Sequence, residues 1–437
     1  MKKIYRLLCV ILALLMLACT VVGCHKKNEV AFKIGDSEFT SAFYSCMLYV
    51  SASNARGDID TYMTDNNITK PENGTVDYTT YKFDTDGNVS ATGTVSYEQF
   101  VRDETIRIMK QYATLDSWMK AKNLILDEST KENAKDEAFC QWYYGCSVYN
   151  YNYYSSQGYD PSSIFTPTGA ILEENGVAYT TFENYMLYEA KYNFYFEHLY
   201  GKDGEKAVPD ADITEYMTEH YTIADSIAFS KSDSDGSDFS EEKIKELKDL
   251  ADKYAERLNN GEKFDDIYHE ELKRLEEEEK ESSTSSASST TSSSNSSTAS
   301  ENSSETSSAT TTSSATSSDD DKGYTPPAYL GIYGDEDTTY SHAMFSEVKK
   351  QEIGKAVVLE DNDNNQYLLV VRQDMTDKTY ENYWFDNLRR TIVSEMKTDE
   401  FEKLLDDNGK ELASEENTYA TKPFPVNKII FKVEESK

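Results

Sequence analysis

The sequence contains few of the residues that form metal centres, disulfide frameworks or membrane-spanning helices. It has 5 His, 6 Cys, 8 Pro and 3 Trp among 437 residues, and no Cys or His pair has the spacing of metal ligands. The apolar run Leu7–Ala18 is shorter than the roughly 20 residues that a transmembrane helix needs. We therefore expect no metal, no other cofactor and no membrane-spanning helix.

Positive charge is also scarce. After the first 23 residues the chain carries 41 Lys and Arg against 79 Asp and Glu, a net charge of −38. So acidic a surface repels nucleic-acid phosphates and anionic lipid headgroups. The composition therefore argues against nucleic acid as a partner and against electrostatic docking on a membrane.

The N-terminus has the pattern of a secretory signal. A positive segment, Lys2–Arg6, precedes the apolar run, and Val21-Val22-Gly23-Cys24 follows it. This tetrapeptide resembles the bacterial lipobox, in which the Cys receives a diacylglyceryl group before cleavage, and two acyl chains give lasting attachment. The resemblance predicts a signal peptide over residues 1–23, lipidation of Cys24 and a lipid-anchored location on the extracytoplasmic face of the cell membrane. An ordinary cleaved signal, an uncleaved anchor and lipidation of Cys19 are the alternatives.

The other cysteines of the processed chain are Cys46, Cys140 and Cys146. The last two fall in a segment whose pattern predicts one continuous helix. Six helical residues separate their Cα atoms by about 9 Å, which is beyond the reach of a disulfide. We expect free buried thiols, since a bridge requires the helix to break near Gly145.

Hydrophobic periodicity predicts an α+β fold. The N-terminal half is mainly helical, after a strand that begins at Val30, a turn at Gly35-Asp36 and a helix that begins near Thr40; a β-hairpin is predicted within residues 75–97. Further along, the pattern predicts strands and helices in the order Thr222–Ser230, Glu241–Asn260, Phe264–Lys280, Tyr329–Tyr333, Tyr340–Lys350, Lys355–Glu360 and Gln366–Arg372. A helix from Thr379 to about Asp407 and an extended segment over Val426–Val433 are predicted to close the chain.

Three phrases in the second half resemble the parvulin-type peptidyl-prolyl isomerase domain. They are Leu258–Phe264, Tyr329–Gly334, and Ala343–Phe345 with the Glu352–Gly354 that follows it. Their order matches the strand, helices, strand, helix, strand, strand pattern of that family. A tract of Ser and Thr, Ser282–Ser318, interrupts the pattern and cannot bury enough apolar surface to fold.

The flanking segments resemble the extracytoplasmic SurA/PrsA foldases, in which both chain ends form one chaperone domain around an inserted isomerase domain. The resemblance implies a mainly helical chaperone domain with an inserted parvulin-like α+β domain. The implied order is signal peptide 1–23, N-terminal helical domain 24–210, parvulin-like first part 211–281, disordered insertion 282–323, parvulin-like second part 324–374, and a C-terminal helix and strand 375–437.

The catalytic pattern of active parvulins is altered at the matching positions. Ser226 occupies the position of the first histidine and Tyr367 that of the second, whereas Tyr340 and Phe345 match aromatic residues of the proline pocket. The position of the family's Cys or Asp falls at the interruption. The resemblance therefore implies a degenerate prolyl pocket, and whether the chain is an enzyme stays uncertain.

Tyrosines are concentrated in the helices between residues 140 and 200. A Tyr ring offers apolar area and a hydroxyl at low entropic cost, which suits a surface that meets many unfolded segments. For most of these rings we favour a core position, and a binding surface predicts adjacent rings left exposed. The sequence thus predicts a chaperone for unfolded or newly exported polypeptides, with an active isomerase, a solute-binding lipoprotein and a surface scaffold as alternatives.

Overall fold

The computed structural model describes residues 29–71, 76–233, 236–286, 328–376 and 378–432, and the side chains of these except 279–286 and 378–387. The fold is α+β. The chain divides into two compact units, Met1–Lys206 with Thr398–Lys437 (unit 1) and Ala207–Lys397 (unit 2). The predicted lipidation site, Cys24, lies outside the described residues.

Unit 1 is mainly helical. Its strands are β1 (Val30–Ile34), β2 (Ser37–Thr40), β3 (Lys82–Phe83), β4 (Val95–Ser96) and β9 (Ser414–Glu416). Its helices are α1 (Ser41–Asp65), α2 (Tyr97–Lys122), α3 (Glu128–Tyr144), α4 (Val148–Ser156), α5 (Gly169–Glu174), α6 (Tyr179–Tyr200) and α12 (Thr418–Thr421), with 3₁₀ turns at Tyr78–Thr80, Pro161–Ser163 and Val426–Lys428.

Unit 2 surrounds one sheet. Its strands are β5 (Tyr221–Ser230), β6 (Leu330–Gly334), β7 (Ala356–Asp361) and β8 (Gln366–Gln373), and its helices are α7 (Asp210–His220), α8 (Glu241–Asn259), α9 (Phe264–Ser286) and α10 (Phe345–Lys349). A long helix, α11 (Lys378–Lys410), contains the boundary between the units.

The two ends of the described chain meet in one small sheet of unit 1. Its order is β2-β1-β9, and both pairs are antiparallel. Gly35 adopts a φ of +56° in the β1–β2 turn, a backbone conformation that glycine adopts without strain. The closing strand is Ser414–Glu416, whereas the extended segment predicted over Val426–Val433 contains a 3₁₀ turn at Val426–Lys428. That prediction was wrong for the described part of the segment. The strand that pairs is short and polar and lies at the surface, so no apolar pattern marks it.

Helix α3 ends at Gly145 rather than continuing, so the prediction of one helix through both cysteines was wrong. Gly145 has a φ of +74°, and an added Cβ would lie 2.1 Å from the carbonyl oxygen of Thr166. The reversal therefore requires glycine. Cys46, Cys140 and Cys146 are free and buried.

The sheet of unit 2 has the order β6-β5-β8-β7, and all three pairs are antiparallel. Helices α8 and α9 cover one face. The buried residues of that face are Ile227, Phe229, Leu247, Ala251, Tyr254, Ala255, Phe264, Ile267, Ala356 and Leu369. Helix α10 covers part of the other face, where Ala224, Tyr333, Met344, Val348, Leu368 and Val370 are buried together.

The unit boundary falls inside α11, between residues 397 and 398, and not at the predicted 375. Within unit 2, the Tyr221 hydroxyl donates to Glu395 at 2.7 Å. Within unit 1, the Tyr200 hydroxyl donates to Glu400 at 3.1 Å, and Phe401 is fully buried. Periodicity alone cannot divide a helix in this way, because it records which side is apolar and not what that side packs against.

Helix α9 extends to Ser286, which is five residues into the predicted insertion; the rest of that insertion, from residue 287, lies outside the described residues. Adding residues to a formed helix costs far less than nucleating one. In the part of the chain that the structure describes, no helix is long and apolar enough to cross a bilayer, and no three His, Cys, Asp or Glu side chains are grouped as metal ligands.

Candidate functional site

A row of aromatic rings lies at the surface of unit 1. It consists of Tyr179, Phe139, Tyr143, Tyr144 and Tyr151, and we call these five residues the aromatic row. Phe139 contacts both Tyr143 and Tyr144, Tyr143 also contacts Tyr179, and Tyr144 also contacts Tyr151, with ring centroids 4.6–6.1 Å apart. Phe139 is 45% exposed and Tyr143 is 49% exposed. Large apolar rings left adjacent and open to solvent are typical of binding surfaces.

The periodicity of α3 explains why these rings stay outside. Ala134, Ala138 and Trp142 recur every four residues and are buried. That side of the helix faces the core. Phe139 and Tyr143 each follow one of these buried residues by one position, so they lie next to the buried side of the helix and not on it. The helix begins at an Asp127 side chain that accepts the Thr130 N–H at 2.8 Å, a capping arrangement that stabilises its first turn.

Helix α4 adds further rings to the same surface. No residue of α4 is buried, and Tyr149 and Tyr153 are more than half exposed. A second group of rings, Tyr153, Tyr154 and Phe165, has centroid distances of 5.1 and 5.4 Å. The Ser147 hydroxyl accepts the Asn150 N–H at 3.2 Å and so caps this short helix.

Carboxylates lie close enough to the aromatic row to act on its hydroxyls. Burial, then the negative charges of Glu183 and Asp136, raise the pKa of Tyr179. The hydrogen bond with Tyr151 raises the pKa of Tyr144, and Asp160 adds to that increase. The surface is therefore apolar, with negative charge beside it.

Further along α6, three tyrosines behave differently and form core. Tyr188, Tyr195 and Tyr200 are buried, and the Tyr188 hydroxyl donates to Asp116 at 2.8 Å. The expectation that most rings fill a core therefore holds for these three tyrosines of α6, but not for Tyr179 at its start or for the tyrosines of α3 and α4.

In unit 2 the sheet register separates two of the residues predicted to form the prolyl pocket. Ser226 lies opposite Val370, whereas Tyr367 lies opposite Phe229. Phe229 is three residues from Ser226, and side chains alternate between faces of a strand. Tyr367 therefore lies on the α8–α9 face and Ser226 on the α10 face. The predicted grouping of these two residues was wrong because a matching sequence position does not set the strand register.

The other two predicted pocket residues are also separated. Phe345 packs on the α10 face, against the cluster that contains Tyr333 and Met344. Tyr340 instead contacts the ring of Tyr221, with centroids 6.3 Å apart. Of the four predicted residues, the structure therefore brings Ser226 and Phe345 to one face.

A polar group on the α10 face was missed by the sequence reasoning. It contains Ser226, Tyr333, His342 and Asp361. The side chains of Ser226 and Tyr333 are hydrogen-bonded, and burial raises the pKa of Tyr333 to about 12. The Tyr333 ring leans along its strand over Gly331, where an added Cβ would lie 3.2 Å from it. Glycine at 331 thus leaves room for the tyrosine to reach Ser226.

His342 lies against this tyrosine, with ring centroids 4.8 Å apart. Its Nδ1 accepts the Met344 N–H at 3.0 Å, so the proton of the neutral ring is on Nε2. Burial lowers the pKa of His342, although Asp361 acts in the opposite direction. The ring is therefore a neutral donor at physiological pH.

Asp361 is fully buried. Burial acts to raise its pKa, but hydrogen bonds from Asn364 and Gln366, both at 2.8 Å, outweigh it and hold the pKa below its usual value. The sequence reasoning missed Tyr333, His342 and Asp361 because only the strand register places Asp361 and Tyr333 on the same face of the sheet as Ser226. The usable signal was strand alternation, combined with a strand order that the sequence does not show.

No protein-family model matches this chain, and no curated protein matches it. Among solved structures, PrsA from Bacillus subtilis is similar over 79% of this chain and 93% of that chain, at 14% sequence identity and a TM-score of 0.23. A TM-score this low carries no argument about the fold or the function of this chain.

Proposed function

We propose that this protein is a membrane-anchored extracytoplasmic chaperone that binds unfolded exported polypeptides. The observation that carries the proposal is the aromatic row of unit 1. Each ring supplies a flat apolar face at the cost of ordering two side-chain torsions, and its hydroxyl tolerates polar neighbours. A surface of this kind binds many different unfolded segments without requiring one sequence.

The location is part of the same proposal and rests on residues 1–24. The lipobox-like Val21–Cys24 supports export and attachment by a lipid. Its test is incorporation of a labelled fatty acid into the expressed protein, with Cys24→Ser as the variant and Cys19→Ser as the matched control. Equal labelling of the wild type and Cys24→Ser would exclude Cys24 as the anchor.

Client binding is tested by an aggregation assay with reduced lysozyme as the unfolded client. Phe139→Ala/Tyr143→Ala removes the two most exposed rings of the aromatic row and is expected to abolish most of the protection. Ile68→Ala/Ile125→Ala is the matched control, because it removes two exposed apolar side chains elsewhere in unit 1. Equal protection by both double variants and the wild type would place client binding elsewhere.

Unit 2 supports a parvulin-like role without efficient catalysis. Its observed order of β5, α8, α9, β6, α10, β7 and β8 is the element order on which the resemblance to parvulins rests. Active parvulins resemble one another in using two histidines that face each other. The residues at the matching positions here, Ser226 and Tyr367, lie on opposite faces of the sheet. We therefore expect weak or no acceleration of a proline-limited refolding reaction.

Active prolyl isomerisation is a second candidate, favoured by one observation. Neutral His342 and Tyr333 present polar groups on the α10 face beside Phe345, and a catalyst of this reaction must stabilise a twisted amide against a barrier of about 18–20 kcal/mol. Catalysis of proline-limited refolding that His342→Ala abolishes would establish this candidate, with His269→Ala, an exposed histidine of α9, as control.

A further inference from the structure

The aromatic row lies in a part of the chain that has no cation of its own. Between Phe139 and Ala190 the sequence contains no Lys, Arg or His. The charged residues of this segment are Asp160, Glu173, Glu174, Glu183 and Glu189. In a chain with 44 Lys and Arg, this is a local departure from the composition of the rest.

Elsewhere in unit 1, the chain places its own cations over aromatic rings. The Lys191 ammonium lies 4.1 Å from the centroid of Tyr188, and the Arg56 guanidinium lies 3.3 Å from that of Phe431. Such contacts stabilise the cation through the negative face of the ring. The rings of the aromatic row have no such partner in the part of the chain that the structure describes.

Two carboxylates beside the row are also left without ion pairs among the described residues. Asp136 and Glu183 both act on the hydroxyl of Tyr179, and no salt bridge engages either of them. By contrast, Glu137 accepts hydrogen bonds from Gln141 and from the Val148 N–H, at 2.8 and 3.0 Å, and so is used within the fold. Asp136 and Glu183 remain available to an external cation.

We propose that the aromatic row prefers extended, unfolded segments that carry Lys or Arg between apolar residues. The apolar residues of the client contact the rings, while its cations lie over the ring faces and pair with Asp136 and Glu183. An acidic segment would be repelled by the same carboxylates and gain nothing from the ring faces. This inference rests on the proposed function, because it names the class of client that the same surface takes.

The test measures binding of three fluorescent peptides to the full processed chain by anisotropy at low ionic strength. The peptides share their length and their aromatic residues and differ at four positions that are all Arg, all Gln or all Glu. We expect the Arg peptide to bind about tenfold more tightly than the Gln peptide, and the Glu peptide more weakly than both. Equal affinity for the Arg and Gln peptides would overturn the inference but leave the proposed function intact, whereas no binding of any peptide would overturn both.

Charge-neutral variants separate a local preference from the general attraction of an acidic protein for a basic peptide. Asp136→Asn/Glu183→Gln is expected to reduce the Arg-over-Gln preference at least threefold and to leave affinity for the Gln peptide unchanged. Asp65→Asn/Asp86→Asn is the matched control, because it removes two exposed carboxylates elsewhere in unit 1. An equal loss in both double variants would show that net charge and not this surface sets the preference.

A third variant addresses the ring faces. Tyr143→Leu keeps an apolar side chain of useful size but removes the π system. The preference for the Arg peptide is expected to fall while the Gln peptide still binds. An unchanged preference in Tyr143→Leu would contradict the role assigned to this ring.

Discussion

Two sets of tyrosines in unit 1 differ in what their hydroxyls and rings meet. Tyr112, Tyr188 and Tyr200 are buried, and their hydroxyls donate to Glu189, Asp116 and Glu400. Tyr143, Tyr149 and Tyr153 lie at the surface and are 49%, 57% and 51% exposed. The same residue type thus forms core in one place and surface in another.

The difference lies in what already fills the inner side of each helix. In α3 the inner positions are taken by Ala138 and Trp142, so the tyrosines beside them remain outside. In α6 Tyr188 and Tyr200 themselves occupy inner positions, and carboxylates on neighbouring helices accept hydrogen bonds from their hydroxyls. A buried hydroxyl requires such a partner, whereas an exposed one can use water.

The largest expected effect comes from removing a core tyrosine. Tyr112→Ala leaves a cavity beside the stacked ring of Tyr188 and is expected to lower the free energy of unfolding by about 3–5 kcal/mol. Urea unfolding followed by circular dichroism measures it. A loss below about 1 kcal/mol would contradict the assignment of Tyr112 to the core.

A buried carboxylate of unit 2 that accepts its hydrogen bond from a glutamine can be compared with the carboxylates of unit 1 that accept one from a tyrosine. Asp225 is 7% exposed, accepts one hydrogen bond, from Gln373 at 2.7 Å, and leaves Oδ1 without a partner. Burial raises its pKa to about 6 from 3.8. The protonated side chain of Asp225 therefore stabilises the folded protein below about pH 4. This contribution to the free energy of unfolding is lost as the pH rises from 4 through 6.

The rise in the pKa of Asp225 from 3.8 to about 6 corresponds to roughly 3 kcal/mol of unfolding free energy, which is lost between pH 4 and pH 7. Asp225→Asn is expected to remove this part of the pH dependence of the unfolding free energy. Asp249→Asn, which changes an exposed carboxylate of α8, is the control. The same pH profile in Asp225→Asn and wild type would contradict the prediction.

Removing only a hydroxyl is expected to have an intermediate effect. Tyr112→Phe keeps the ring and its stacking but leaves the partly buried Glu189 without its donor. Burial already raises the pKa of Glu189, and the Tyr112 hydrogen bond opposes that increase. We expect a loss of about 1–3 kcal/mol in unfolding free energy. If Tyr112→Phe and the wild type have the same unfolding free energy within experimental error, water replaces the hydroxyl.

The smallest expected effect on stability is at the surface. Tyr143→Ala and Tyr153→Ala are expected to change the free energy of unfolding by less than about 0.5 kcal/mol each. Peptide affinity should nevertheless fall in Tyr143→Ala. A stability loss as large as that of Tyr112→Ala would place Tyr143 in the core and remove the basis of the comparison.

Local features of the fold were predictable because neighbouring residues determine them. The Thr40 cap of α1 and the turn at Gly35 follow from capping and turn preferences within a few residues. Strand β9 was not predictable, since Ser414–Glu416 has no apolar alternation and is a strand only because β1 lies beside it. Nearly four hundred residues of sequence separate that pair.

The sequence by itself determined the acidic character of the chain, the helical periodicity of its first half and the order of strands and helices in its second half. These depend on composition and on contacts within a few residues. Only the tertiary structure decided which tyrosines are buried, that Tyr367 and Ser226 lie on opposite faces, and that His342 lies beside Tyr333. The physical reason is that packing and strand register are set by distant parts of the chain, which no local pattern encodes.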